Sequence, residues 1–99
     1  MKTVLNTIRA KVWIYKGNSP WHFVTIEKTV ASEIKKQYMW PRRGFGSIPV
    51  NVTIGKTKWK TSIFPDKNKT FVLPLKKEVR LSEDIKVGDN VKFSLEVLN

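Results

Sequence analysis

The sequence has no cysteine and a single histidine, His22. Without cysteine, neither a disulfide bond nor a thiolate metal site can form. One imidazole leaves no cluster of residues with metal-ligand spacing, so we expect neither a metal nor a cofactor. The apolar core must therefore hold the fold together, and 99 residues are enough to provide one as a single domain over residues 1–99.

Long hydrophobic runs are also absent. The opening stretch, MKTVLNTIRAKVWIYK, soon alternates with charged residues. It predicts neither a signal peptide nor a transmembrane segment. We therefore expect a cytoplasmic protein with no membrane partner.

Negative charge is scarce. The chain has 19 Lys and Arg against 8 Asp and Glu, a net charge of +11. Such an excess predicts attraction to polyanions, among them nucleic acid. A thermophilic protein can also be rich in Lys, but Glu should then rise with it. A lysine-rich surface can serve solubility alone, so the charge favours polyanion binding only slightly.

The hydrophobic residues recur with two different periods. Alternation predicts strands over residues 7–15, 21–26, 47–54, 58–64, 70–75 and 91–98. Val30, Ile34 and Tyr38 recur at four-residue steps, which predicts one short amphipathic helix ended by Pro41. A single helical turn is expected around residues 78–81. About six strands and one short amphipathic helix are typical of a mainly β fold, a small barrel that closes on itself.

Several phrases of the sequence resemble a known family. RRGFGSIPVNVTIG, WKTSIFP, LPLKKEVR and VGDNVKFSLEV follow the opening KVWIY…WHFVTI hairpin in that order. Over about residues 7–97 they resemble the bacterial domain-of-unknown-function family nineteen-oh-five. The resemblance implies a double-split β-barrel, a fold class that includes DNA-binding regulators and antitoxins working as intertwined dimers. DNA binding and a homodimer are expectations from this fold kinship, which supplies no catalytic or binding residues.

The stretch RRGFGS, between the predicted helix and the next strand, is the first candidate site. Gly44 and Gly46 allow backbone N–H groups to converge on an anion. Arg42 and Arg43 offer bidentate donors for phosphate or carboxylate. The alternative is a tight helix-to-strand corner in which the glycines need positive φ and the arginines are solvated. Both interpretations stay open, because one loop can be a corner and an anion cradle at once.

The second candidate is a basic strand. Lys56, Lys58 and Lys60 alternate, so their ammonium groups share one face with Ser62, and Trp59 takes the other face. Such a stripe can follow a phosphate backbone. Lysines also protect an edge strand against aggregation, which is the favoured interpretation of the stripe alone. With the two arginines nearby in sequence, the interpretations become comparable.

The four tryptophans are a further candidate feature. Trp13 falls on the polar-patterned face of its strand and Trp21 follows a turn, so either could be exposed. Exposed rings beside basic residues suit stacking on single-stranded bases or a protein interface, including that of a homodimer. The simplest alternative is that the tryptophans cap the ends of the barrel as part of its core; this is expected for Trp59, and for Trp13 the alternatives stay open.

Catalysis has little support in the sequence. Ser47 and Ser62 have only His22 as a possible base, and the carboxylates are scattered without a paired signature. We therefore predict a non-enzymatic protein that binds a polyanion, with nucleic acid as the leading candidate. The contacts would be electrostatic, since no recognition helix with base-reading side chains is evident.

The predicted binding residues come from the loop and the basic strand: Arg42, Arg43, Gly44, Gly46, Ser47, Lys58, Trp59, Lys60 and Ser62. The alternative function is that of a protein-interaction module, or of a barrel that binds a small anionic ligand. Its pocket would lie around Arg43, Ser47, Trp59 and Ser62, and the excess lysine would then serve solubility.

Overall fold

The computed structural model describes residues 3–15, 17, 21–38 and 46–98, with residues 3–7 and 37–38 described by their backbone alone. The elements in chain order are β1 (Thr3–Tyr15), β2 (Trp21–Thr25), α1 (Lys28–Tyr38), β3 (Ile48–Ile54), β4 (Thr57–Pro65), β5 (Phe71–Pro74), α2 (Lys77–Ser82) and β6 (Asn90–Val97). The mainly β fold is confirmed. The predicted single turn at residues 78–81 is the short helix α2.

The six strands close into an antiparallel barrel in the order β1-β2-β5-β4-β3-β6. Two strands, β1 and β4, each pair with one neighbouring strand over the first part of their length and with another over the last part. The first part of β1 pairs with β6, and its last part, residues 12–15, pairs with β2. Residues 57–63 of β4 pair with β3, whereas only Phe64 and Pro65 pair with β5. The two parts of each of these strands therefore have their ladders on opposite sides.

Alternate side chains of the strands fill the barrel. In β3, Ile48, Val50, Val52 and Ile54 are all buried, as the alternation predicts. The helix α1 adds Ala31 and Ile34 to the same core. No helix in the described part of the chain is long and apolar enough to cross a membrane.

The strand β1 begins at Thr3 and not at residue 7 as predicted. Its early residues pair with β6, for example Thr3 with Val97 and Leu5 with Leu95. The register shifts between Leu5 and Ile8, and such an irregularity breaks the alternation of side chains. The period-two pattern is therefore visible only beyond it.

Candidate ligand-binding face

Aromatic residues occupy solvent-facing positions on one wall of the barrel. The register joins Tyr15 with Trp21 and Trp13 with Phe23 across β1 and β2. Phe23 is paired in turn with Pro74 of β5, and Val72 is paired with Phe64 of β4. Paired side chains of neighbouring strands lie on the same face of a sheet. We call this outward set the aromatic face: Trp13, Tyr15, Trp21, Phe23, Phe64, Val72 and Pro74.

The aromatic face is open to solvent. The exposed fraction is 56% for Trp21, 55% for Tyr15 and 45% for Phe64. A groove of about 370 Å³ runs over the face, lined by Tyr15, Trp21, Phe23, Phe64, Val72 and Pro74. Scattered exposed hydrophobic residues are ordinary, but contiguous ones mark interaction surfaces. This groove is therefore the strongest candidate for a binding site on the described surface.

Contacts within the aromatic face fix its rings in place. The rings of Trp21 and Phe23 are nearly parallel, with 6.2 Å between centroids and 13° between planes. The Trp13 ring leans over Phe23 at a centroid distance of 5.2 Å. Its Nε1 donates a hydrogen bond of 2.8 Å to Thr25 Oγ1. Trp13 and Trp21 are thus both partly exposed, and Trp59 is in the core at 9% exposure, as expected.

A second depression, of about 150 Å³, adjoins the groove. Trp21 and Pro74 line both, and Lys60 and Lys76 line the second. Lys60 belongs to β4, and Lys76 lies two residues beyond the end of β5. Among the described residues, no Asp or Glu lines either cavity. We call this second cavity the lysine depression, since two ammonium-bearing side chains border it beside an aromatic ring.

The two predicted lysines of β4 have different surroundings. Both are exposed on the outer face, as the alternation predicts. Lys58 shares a small polar depression with Asn51 and Glu96, and Asn51 Nδ2 donates a 2.7 Å hydrogen bond to Glu96 Oε1. A carboxylate therefore lies near Lys58. Of these two lysines, only Lys60 lines the lysine depression beside the aromatic groove.

The edge-strand interpretation of the lysines holds in part. The strand β4 lies inside a closed barrel, between β3 and β5. Its lysine-bearing half nevertheless pairs only with β3, because the ladder to β5 is confined to Phe64 and Pro65. Protection of a locally open strand and attraction of an anion are compatible roles for the same side chains.

The loop that was predicted as an anion cradle is described only at its end. Gly46 has φ of 82°, the positive value that the corner interpretation requires. Ser47 is half-buried and directly precedes β3. Arg42, Arg43 and Gly44 lie outside the described residues.

The structure brings only some of the described predicted site residues together: Trp59 and Lys60 both line the lysine depression. Continuing the pairing of Ile48 with Ile63 places Ser47 beside the Phe64 end of β4. Lys60 is four residues away along that strand, roughly 13 Å. Trp59 faces the core and Ser62 the outer face. The pocket expected around Arg43, Ser47, Trp59 and Ser62 stays a prediction, because Arg43 lies outside the described residues.

The only histidine faces α2. His22 Nε2 lies 3.3 Å from a terminal nitrogen of Arg80, and Arg80 Nε donates to the Leu75 carbonyl oxygen at 3.1 Å. These contacts connect β2 with the segment that leads into α2. Ser62 lies on the outer face of another strand, so this serine and His22 are not arranged as nucleophile and base.

The family model for a domain of unknown function, DUF1905, matches residues 9–95. The chain belongs to this family. No curated protein matches the sequence. The match confirms the family resemblance and takes in every residue that lines the groove and the lysine depression.

Most of this face of the DUF1905 protein was missed by sequence reasoning. Tyr15, Phe23 and Phe64 were not singled out, nor was Lys76. A signal existed: aromatic residues occupy the outward phase of three strands, where the alternation predicts polar ones. No signal in the sequence indicated that β2, β5 and β4 are neighbours in the barrel, since these strands are not consecutive in sequence.

Proposed function

We propose that this DUF1905 protein is a non-enzymatic, cytoplasmic protein that binds a polyanion, namely nucleic acid. The contacts are mainly electrostatic and come from Lys60 and Lys76. Nucleic acid is favoured among polyanions because the lysine depression adjoins exposed aromatic rings, a combination that suits phosphates and bases together.

The observation that carries the proposal is the composition of the lysine depression. It brings together Lys60, Lys76 and Trp21 with no carboxylate among the described residues that line it. Neither lysine forms an ion pair with a described residue. The net charge of +11 adds a long-range attraction for anions, which is screened by salt.

The non-enzymatic part of the proposal is supported by the surroundings of the candidate catalytic groups. His22 is engaged with Arg80, and the three His, Asp or Glu side chains needed for a metal site do not cluster among the described residues. A nucleophile needs an adjacent, oriented base. Neither described serine of the predicted site has this arrangement with His22.

The test is binding of a labelled oligonucleotide measured by fluorescence anisotropy across a salt series. We expect affinity to fall steeply with salt, because each phosphate contact releases counterions. The Lys60→Ala/Lys76→Ala variant should lower the slope of log K against log salt by about 1.4 for a single strand. Lys76 makes no side-chain cap to α2, so its truncation removes no capping hydrogen bond.

A matched control removes two charges elsewhere. Arg9 and Lys92 are exposed and pair across β1 and β6, and β6 lies opposite β5 in the barrel order. Arg9→Ala/Lys92→Ala changes the net charge equally, so its slope should stay close to that of the wild type. An equal decrease of the slope in both variants would show that binding depends on the net charge and not on the lysine depression. Absence of binding at low salt would refute the proposed function.

A further inference from the structure

Packing of the barrel core does not explain why aromatic residues occupy the outward positions of the aromatic face. The core is filled from the opposite, inward positions of the same strands, such as Val12, Val24 and Leu73. Folding therefore leaves Tyr15 and Trp21 more than half exposed. Exposed apolar area is unfavourable in water, so a ligand that covers these rings gains free energy by doing so.

The charge beside the groove restricts what that ligand can be. Trp21 and Pro74 belong both to the apolar groove and to the lysine depression. A complementary ligand must present flat apolar groups next to negative charge. A second copy of this chain fits poorly, because a two-fold contact through this face would bring Lys60 and Lys76 toward the same lysines of its partner.

We infer that the aromatic face stacks unpaired bases and that Lys60 and Lys76 hold the adjoining phosphates, so that the ligand is single-stranded nucleic acid. This inference rests on the proposed polyanion binding and narrows it. Each nucleotide of a single strand carries a planar base beside a phosphate. In a duplex the base faces are covered by their neighbours, and the rings have nothing to stack on.

The dimensions of the face suit a short segment of single strand. From Tyr15 on β1 to Phe64 on β4 there are three strand intervals, or roughly 14 Å at the usual spacing of about 4.8 Å. Such a sheet surface accommodates roughly two or three stacked bases. Because every base has a π-face, we expect little sequence preference.

The first experiment compares an oligo(dT) strand with a duplex of equal length, at one low salt concentration. Wild type should bind the single strand more tightly, and its tryptophan fluorescence should fall on binding. Trp21→Ala should weaken single-strand binding on the order of tenfold and leave duplex binding almost unchanged. Trp21→Phe, which keeps an aromatic ring, should restore most of the loss.

Two further variants guard against indirect effects. Phe64→Ala tests the opposite end of the groove and should also weaken single-strand binding severalfold. Leu81→Ala is the matched control, because Leu81 is an exposed apolar residue of α2 outside both cavities. Its affinity should equal that of wild type, and circular dichroism should show all variants folded.

The outcomes separate this inference from the proposed function. Equal binding of both oligonucleotides, unaffected by Trp21→Ala, would overturn base stacking and leave polyanion binding standing. Failure to bind either oligonucleotide would overturn both. A dimer that Trp21→Ala dissociates in sedimentation, with unchanged oligonucleotide binding, would assign the face to a second copy.

Discussion

The turn between β3 and β4 offers a sharp test of how the lysine-bearing strand is held. Gly55 has φ of 55°, whereas the next residue, Lys56, does not have positive φ, the pattern of a type II′ hairpin turn. A Cβ built on Gly55 would overlap Oε1 of Glu83, the C-cap residue that follows α2. Glu83 Oε2 also accepts a 2.6 Å hydrogen bond from Thr57 Oγ1. This contact ties the turn to the C-terminal end of α2.

Gly55→Ala should destabilise the protein through two separate effects. A Cβ at this positive φ costs about 1–2 kcal/mol. Relief of the overlap requires the Glu83 carboxylate to move, which breaks its hydrogen bond to Thr57. A hydrogen bond to a charged group contributes about 1.5–3 kcal/mol, and the lower end applies here because both partners are only half-buried. The sum is about 2–4 kcal/mol.

A double-mutant cycle with Glu83→Ala separates the two effects. Urea unfolding followed by tryptophan fluorescence gives the free energy of unfolding, and an unchanged m-value shows that two-state unfolding is retained. In the Glu83→Ala background the overlap and the hydrogen bond are already gone. Gly55→Ala should then cost only its backbone contribution, about 1–2 kcal/mol.

Two results would refute this reasoning. An equal cost of Gly55→Ala in both backgrounds, within about 0.5 kcal/mol, means that Glu83 does not obstruct the Cβ. A cost of Gly55→Ala well below about 1 kcal/mol in the wild-type background means that the turn relaxes away from positive φ.

Two other predictions concern the core and the loop. Ile34→Ala should lower the free energy of unfolding by about 2–5 kcal/mol, measured in urea, because Ile34 is fully buried between α1 and the barrel core. A loss near that of an exposed position such as Lys36→Ala would contradict this. Arg42→Ala/Arg43→Ala should lower the salt slope of single-strand binding by about 1.4 if both arginines hold phosphates. An unchanged slope would identify the RRGFGS loop as a corner without a binding role.

The barrel could be predicted from the sequence because hydrophobic core residues alternate with more polar, exposed residues along its strands. In β3, buried and partly exposed residues alternate without exception, and turn residues such as Gly55 and Gly88, both with positive φ, mark the strand ends. In the turn before β6, Asp89 Oδ2 accepts a 2.9 Å hydrogen bond from the Lys86 backbone N–H, a contact typical of Asp in turns. These patterns involve residues that are close together in the chain, so they can be recognised in a single sequence.

The candidate site could not be predicted because it depends on which strands become neighbours. Trp21 and Lys60 line the same depression, yet β2 and β4 are brought close only because β5 pairs with both. Alternation states which face a residue occupies but not what lies beside it. Proximity in sequence was a poor guide: Ser47, expected in one site with Lys60, lies level with Phe64, four residues further along β4.

The contrast between the two walls of the barrel is the strongest reason to place function on the aromatic face. The outer positions of β6 carry Asn90, Lys92, Ser94 and Glu96, the mixed polar set of an ordinary solvated wall. The wall centred on β5 carries rings and lysines instead. Both walls belong to one closed barrel and satisfy the same packing rules, so stability does not account for the difference. The ligand that we propose, with planar apolar groups and negative charge, would account for it.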